Sequence, residues 1–336
     1  MVILQKQIAE KAGVSYATVS RAFTNSAKVK PQTMQRIRNA MLELGITNSD
    51  DVLLGKSFVS RTILLVVSDI SNNFYSKVVK GVCDVLTPHG YSIILCNCGD
   101  DGRQELESMR KAVNQGLSGI ILVTVTESEE CIHFLQSSSI PVVLVNRYIQ
   151  ALDLDVIRID NYRGGYMAAQ HLIDHGHRRI AILGGIKGAG TTRDRIRGFR
   201  DAEKNSGIAC GEENLFYGNN TVEGGRIFAD QLLRMPERYS AIFVANDYMA
   251  VGMVKRLTEC GKRIPEDYSV ICFDDSLLVD ENSLNLTVVH CDPEMMGRSA
   301  ADVFEKRRND LLGDRYRISY SPRFIERRSV APPKKY

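Results

Sequence analysis

Two groups of side chains in this 336-residue chain have the types and spacing for recognition chemistry. The first is a short run near the amino end: Ser15, Tyr16, Ala17, Thr18, Ser20 and Arg21. An arginine can bond bidentately to guanine, and a tyrosine can meet a base edge or a phosphate. The hydroxyls of Ser15, Thr18 and Ser20 suit phosphate oxygens. The second group recurs where apolar runs end. It comprises Asp69, Asn97, Thr124 and Asn146-Arg147, then Asn246-Asp247 and Asp274-Asp275. Converging carboxylates, amides and an arginine would suit a polyhydroxylated ligand such as a sugar, with Phe74, Tyr75 or Tyr148 as stacking surfaces. Solvation of loops alone would produce the same polarity.

Catalytic patterns are incomplete. Gly184-Gly185-Ile186-Lys187-Gly188-Ala189-Gly190 precedes a helical pattern and could cradle an anion. A phosphate loop ends in Gly-Lys-Ser/Thr, whereas Gly190 is followed by Thr191-Thr192, and the glycines do not space as GxGxxG. The stretch reads as a flexible loop beside a ligand cleft, with Lys187, Arg193 and Arg195 available to a phosphate or carboxylate. His175 and His177 have no third metal ligand close in sequence and read as solvent-facing turn residues. Asp274 and Asp275 would point to opposite sides of a strand, one toward ligand and one toward the structure. The eight cysteines form no CxxC pair and read as small apolar fillers. The expectation is a non-enzyme with no catalytic residues, no cofactor and no metal.

At 44% apolar and 25% charged residues, the composition is globular and excludes a disordered, collagenous or disulfide-stapled chain. The net charge is only +3, which, if evenly spread, would argue against a polyanion partner. It is not evenly spread: residues 1–48 hold seven basic and two acidic side chains, net +5, leaving −2 on the other 288. A basic module on a slightly acidic body suggests a polyanion partner at the amino end, and a solvated basic surface would give the same count. Polar residues begin at Gln5, so no secretory signal is read. Apolar runs such as Ile63–Val67 fall far short of the roughly 20 residues that span a bilayer. A cytoplasmic protein without membrane contact is expected.

The elements that must position the first group are short helices. Ile8–Ala12 is helical, Gly13 breaks it at a turn, and Ser15 caps a second helix through Arg21. Pro31 opens a third, with Ile37, Met41 and Leu44 on one face before Gly45. This is a helix-turn-helix pattern, with Ala9, Val14 and Val19 as its small core and Tyr16, Ala17 and Arg21 on its exposed face. The body alternates strands and helices in two rounds. Strands are expected at Ile63–Val67, Ser92–Leu95, Gly119–Val123 and Val142–Val145, then at Ile180–Leu183, Ala241–Val244 and Ser269–Phe273. Such alternation implies parallel sheets covered by helices, with ligands at the carboxyl ends of the strands.

The string Ile8-Ala9-Glu10-Lys11-Ala12-Gly13-Val14-Ser15-Tyr16-Ala17-Thr18-Val19-Ser20-Arg21 resembles the DNA-binding headpiece of the lactose-repressor/galactose-repressor family; Asn25, Val29 and Leu44-Gly45 also fall where that family has them. The resemblance extends through Asp69-Ile70-Ser71-Asn72, Ile159-Asp160-Asn161, Gly176-His177-Arg178-Arg179-Ile180-Ala181, Ala245-Asn246-Asp247, Phe273-Asp274-Asp275 and Ser329-Val330-Ala331-Pro332-Pro333. It implies an all-α helix-turn-helix headpiece (1–48), a hinge or linker (49–60) and a two-lobed α/β core like a periplasmic binding protein with parallel sheets (61–336). Lobe 1 would hold about 61–161 and 292–321, and lobe 2 about 162–291 and 322–331. It further implies DNA contacts by Ser15, Tyr16, Ala17, Thr18, Ser20, Arg21 and Asn25. Effector contacts would come from Asp69, Asn73, Phe74, Asn146, Arg147, Arg193, Arg195, Asn246, Asp274 and Cys291.

The implied partners are a near-palindromic double-stranded operator, a sugar-like effector and a second copy of the chain, with a tetramer also possible. The sequence departs from the family pattern at three places. Asn73 replaces a proline, and Cys291 stands where many members carry glutamine. In the hinge, Leu53-Leu54-Gly55 replace Arg-Ser-Leu and Asp50-Asp51 add two acids, so Leu53 or Leu54 would have to serve as the minor-groove wedge in a shifted register. Two readings therefore stand: an effector-controlled repressor, or a carbohydrate sensor with a degenerate hinge and weak DNA binding.

Overall fold

A computed structural model describes residues 2–24, 29–44, 60–208, 211–235, 238–280, 282–311 and 313–334. Asn25, Leu53, Leu54, Asp50, Asp51 and Cys210 lie outside the described residues. The chain divides into two compact units, Met1–Arg61 and Thr62–Tyr336.

The first unit has helices α1 (Val2–Ala12), α2 (Tyr16–Thr24) and α3 (Pro31–Glu43). Gly13 turns the chain at φ +62°, a region that disfavours any side chain with a Cβ. Its carbonyl accepts from the Arg36 guanidinium at 3.0 Å, which ties the turn to α3. Ser15 Oγ accepts from the Thr18 amide at 3.2 Å and caps α2. Ile8, Ala9, Val19, Ala22, Ile37 and Met41 close the core, and Val14 packs against it.

The second unit holds two six-stranded sheets. Lobe 1 is ordered β11-β5-β4-β3-β1-β2, from β1 (Thr62–Val67), β2 (Ser92–Asn97), β3 (Gly119–Leu122), β4 (Val142–Val145), β5 (Asp155–Ile159) and β11 (Arg317–Tyr320). All its pairings are parallel. Lobe 2 is ordered β12-β10-β9-β8-β6-β7, from β6 (Ile180–Gly184), β7 (Leu215–Tyr217), β8 (Ala241–Val244), β9 (Ser269–Phe273), β10 (Thr287–His290) and β12 (Arg323–Ile325). Only β12 runs antiparallel to its neighbour. Helices α4 (Asn73–Leu86), α5 (Gly102–Asn114), α6 (Glu129–Gln136) and α11 (Pro293–Asn309) cover lobe 1. Helices α7 (Asn161–Asp174), α8 (Gly190–Asn205), α9 (Val222–Leu233) and α10 (Asp247–Glu259) cover lobe 2. Among the described residues, no helix is long and apolar enough to cross a membrane.

The chain passes between the sheets three times: after β5, after β10 and between β11 and β12. Two of these passages are bonded to each other, the Asp160 amide donating to the Tyr320 carbonyl at 2.8 Å. Helix α8 lies close against α7 because Gly165 and Gly198 face the partner backbone, where a Cβ would collide with the Arg195 or Tyr162 carbonyl. Gly81 and Gly297 do the same for α4 and α11, as do Gly225 and Gly252 for α9 and α10.

The structure corrects one expectation about the histidines. His177 is not solvent-facing: it is 1% exposed, with Nδ1 2.8 Å from Ser240 Oγ and Nε2 2.9 Å from the Ala331 carbonyl. It pins the terminal segment to lobe 2, so its role is structural. Cys98, Cys131, Cys272 and Cys291 pack inside apolar clusters. Burial pushes the thiols of Cys98 and Cys131 up to about 11 and about 12.

A buried ion pair closes the outer side of lobe 1. Arg307 of α11 bonds bidentately to Asp155 of β5 at 2.7 and 2.9 Å, the side chains being 3% and 1% exposed. The remaining Arg307 donors meet the carbonyls of Asp310, Gly313 and Asp314. Removing one partner of such a pair strands the other charge without solvent. Arg307→Met should therefore lower unfolding stability by about 3–5 kcal/mol in urea titrations, and a loss under about 1 kcal/mol would show that water reaches Asp155.

Candidate functional site

A cleft of about 470 Å³ opens between the lobes, lined by residues from the carboxyl ends of strands in both sheets. On the lobe 1 side, Asp100 is the hub. It accepts from Ser68 Oγ at 2.6 Å, from Thr124 Oγ1 at 3.1 Å and from the Arg147 guanidinium at 2.9 Å. Arg147 also donates to Thr124 Oγ1 at 2.8 Å, so its fork is fixed at the end of β4. Next to it, Asn146 adopts φ +65°, and its Oδ1 is buried with no hydrogen-bond partner among the described residues. Phe74 and Tyr75 meet edge to face at the start of α4, with ring centroids 5.4 Å apart. Asn72 caps that helix by accepting from the Phe74 amide at 2.9 Å.

On the lobe 2 side, Arg195 of α8 is 7% exposed. Its Nε donates to Asn161 Oδ1 at 2.8 Å, Nη1 donates to the Ala245 carbonyl, and the guanidinium lies 3.5 Å from the centre of the Phe273 ring. Asp274 Oδ2 stands 3.8 Å from Nη1. Asp274 itself takes φ +71° at the end of β9, and its Oδ1 accepts from Cys291 Sγ at 3.1 Å. Asn246 caps α10 by accepting from the Met249 amide at 3.1 Å, and its Nδ2 donates to Asp247 Oδ1 at 3.3 Å. Asp275 faces the other way and pairs with Arg327 at 2.9 Å. Across the cleft mouth, Tyr248 Oη of lobe 2 donates to the Ser71 carbonyl at 3.0 Å and accepts from the Asn73 amide at 3.2 Å.

Of the residues singled out in the sequence, the cleft brings together Asp69, Phe74, Tyr75, Asn97, Asn146, Arg147, Arg195, Asn246 and Asp274. Thr124, Tyr148, Asp247 and Asp275 are not in its lining, and three of the effector contacts implied by the resemblance also fall outside it. Asn73 meets Tyr248 through its backbone at the cleft mouth. Arg193 is exposed on α8, one residue from the buried Asp194 that holds Tyr148 Oη at 2.8 Å. Cys291 lies one layer behind, where its thiol donates to Asp274. Lys187 stands over the Tyr217 ring at 5.6 Å and is not part of the lining. In the headpiece, Ser15, Tyr16, Ala17 and Arg21 are exposed along α2, with Thr18 and Ser20 half-buried.

Residues 6–48 match the family model described as bacterial regulatory proteins, lacI family, and residues 169–330 match a periplasmic binding protein-like domain. The chain is 32% identical over 326 residues to the HTH-type transcriptional repressor PurR of Vibrio atlanticus (strain LGP32), covering 97% of this chain and 98% of that protein. The chain belongs to the lacI family of bacterial regulatory proteins. This lacI-family chain is also 29% identical to the HTH-type transcriptional regulator DegA of Bacillus subtilis (strain 168), over 97% of both. It is similar to the transcriptional regulator CelR in complex with cellobiose, at TM-score 0.74 and 27% identity over 97% of this chain and 99% of that one. A lacI-family regulator from Enterococcus faecium with bound ribose matches at TM-score 0.73 and 28% identity, over 81% and 100% of the two chains. Like its family, this chain is a DNA-binding transcriptional regulator with a ligand-binding core.

Sequence reading missed much of the regulator's cleft on the lobe 2 side: Thr191, Thr192, Asn219, Asn220 and Thr221. The last three precede α9, where Thr221 Oγ1 caps the helix by accepting from Gly224 at 3.1 Å. An Asn-Asn-Thr run ahead of a helix was the available signal, but β7 is only three residues long and was not read as a strand. Asp100 and Ser68 were missed because their role lies in bonding Arg147 and Thr124, a contact made only on folding.

Behind Asp274 lies Asp247, 3% exposed. Burial first, and the charge of Asp274 second, push its carboxyl up to about 7, although amides of Tyr248 and Ser276 favour the carboxylate. The native state then binds more protons than the unfolded chain between 3.8 and about 7. The stability carried by protonated Asp247 is thus present at the acid end of that window and lost as pH rises. Asp274→Asn removes the opposing charge. Its stability relative to wild type, read by far-ultraviolet circular dichroism in denaturant, should therefore climb from about pH 4 to about pH 7. A flat difference would detach Asp274 from the Asp247 proton.

Proposed function

We propose that this regulator represses transcription as a homodimer on a near-palindromic operator, with its operator affinity set by a sugar-like effector held in the cleft. The observation that carries the effector class is the cleft's wall chemistry. Carboxylates (Asp69, Asp274), guanidinium groups (Arg147, Arg195), amides (Asn146, Asn219, Asn220, Asn246) and hydroxyls (Thr191, Thr192) converge in about 470 Å³. Sugar hydroxyls both donate and accept, so they can satisfy such a mixed set, and Phe74 and Tyr75 offer ring faces to the apolar side of a pyranose. Asn146 Oδ1 supports this reading: a buried acceptor without a partner gains most from a ligand hydroxyl. The ligand-bound relatives hold cellobiose and ribose, both sugars.

Control follows from the two-walled site. An effector touching both lobes favours the lobe arrangement in which all its bonds form, and it shifts operator affinity only by its difference in affinity between the two arrangements. On DNA, α2 would present Tyr16, Ala17 and Arg21 to base edges, and the dimer would span successive major grooves about 34–36 Å apart. Acting on DNA, it would work in the cytoplasm.

The deciding experiment is operator selection with the purified chain, repeated across sugars, sugar phosphates and nucleobases. Enrichment of a palindromic site whose affinity changes with a sugar is expected; failure to enrich any DNA would favour a carbohydrate sensor with a degenerate hinge. Arg21→Ala should lose about 1–3 kcal/mol of discrimination on the selected site, and equal binding to wild type would remove Arg21 from base readout. Asp274→Ala should keep operator affinity and lose the effector response; unchanged calorimetric binding of the effector would place Asp274 outside the contact set.

A further inference from the structure

Helix α7 carries His171 in its last turn, and His175 caps its carboxyl end four residues on, where its ring meets that of His171. Their centroids are 4.3 Å apart. Glu326, the residue after β12, completes a set in which one donor atom from each residue lies within 4.8 Å of the others. We propose that His171, His175 and Glu326 bind a divalent first-row transition-metal ion of the Zn²⁺ type, on lobe 2 and apart from the effector cleft.

Three observations carry this. First, His175 Nδ1 lies 2.8 Å from the His171 carbonyl. With Nδ1–H donating there, the Nε2 lone pair is presented outward, the orientation in which metal-bound imidazoles are held by a backbone acceptor. Second, His171 Nε2 is buried without a hydrogen-bond partner among the described residues. A buried ring nitrogen left so is costly, and a ligand at this cluster removes the cost. Third, the donor set is chemically apt: two neutral imidazoles and a carboxylate suit Zn²⁺, and solvent can supply the fourth ligand.

The geometry needs little adjustment. Donors about 2.0–2.2 Å from a common ion stand about 3.4 Å apart in a tetrahedron. The side chain of Glu326 is exposed and can swing to close the difference from 4.8 Å. An ion here would tie α7, which starts at the first passage between the lobes, to the end of β12, which follows the third.

The test uses the full chain, stripped with chelator, and Co²⁺ as the probe, because its spectrum separates nitrogen and oxygen ligands from thiolates. Saturable binding of one Co²⁺ without a thiolate charge-transfer band is expected, with Zn²⁺ displacing it. His175→Gln and Glu326→Gln should each weaken binding at least about tenfold, with unchanged circular dichroism. Glu326→Gln alters only an exposed side chain and decides the matter alone if His175→Gln does not fold. No Co²⁺ binding, a thiolate band in its spectrum, or wild-type affinity in Glu326→Gln would overturn the assignment.

Discussion

The lobe 2 half of the cleft depends on one constraint, the burial of the Arg195 charge. A guanidinium taken out of water must be met by several acceptors or it destabilises the fold. Here the acceptors come from three separate elements: Asn161 at the head of α7, the Ala245 carbonyl after β8, and Asp274 after β9, with the Phe273 ring beneath. Satisfying Arg195 therefore sets the relative positions of a passage between lobes and two strand ends. The close approach of α7 to α8, allowed by Gly165 and Gly198, brings the arginine within reach.

Lobe 1 repeats the device with different parts. Arg147 at the end of β4 is held by Asp100 and Thr124, and Asp100 is held in turn by Ser68. Each wall thus has a fixed guanidinium, a carboxylate and neighbouring amides. Because these groups are bound to protein partners, a ligand meets donors and acceptors already oriented, and little ordering entropy remains to be lost on binding. Asn146 and Asp274 both sit at positive φ next to these arginines, a backbone state that is costly for residues with a Cβ and recurs at functional sites.

Polarity in the cleft also explains the proton beneath it. Asp247 and Asp274 lie close in a poorly solvated wall, and both cannot be ionised without repulsion. A ligand donor placed on Asp274 would ease that repulsion, and its binding would then be linked to the protonation of Asp247 through one carboxylate pair.

The local order of the elements was legible from the residues alone. Apolar periodicity marked seven strands, three of them with the observed bounds Val142–Val145, Ala241–Val244 and Ser269–Phe273. Turn and cap residues marked the headpiece, and polar residues after strands marked six of the residues that line the cleft: Asp69, Asn97, Asn146, Arg147, Asn246 and Asp274. These signals are local, because helix and strand periods and caps act within a few residues. The rest depends on contacts made once the chain has folded. Strands β5, β7, β10, β11 and β12 hold no run of four apolar residues, and β7, β11 and β12 lie at sheet edges, stabilised by pairing with residues distant in sequence. Cys291 was moved behind the cleft wall, His177 was turned inward to the terminal segment, and a ring nitrogen of His171 was brought within 4.8 Å of a Glu326 carboxylate oxygen. Each of these contacts links residues at least 17 positions apart. No periodicity in one chain reports such a pairing, since it exists only once the sheets are built.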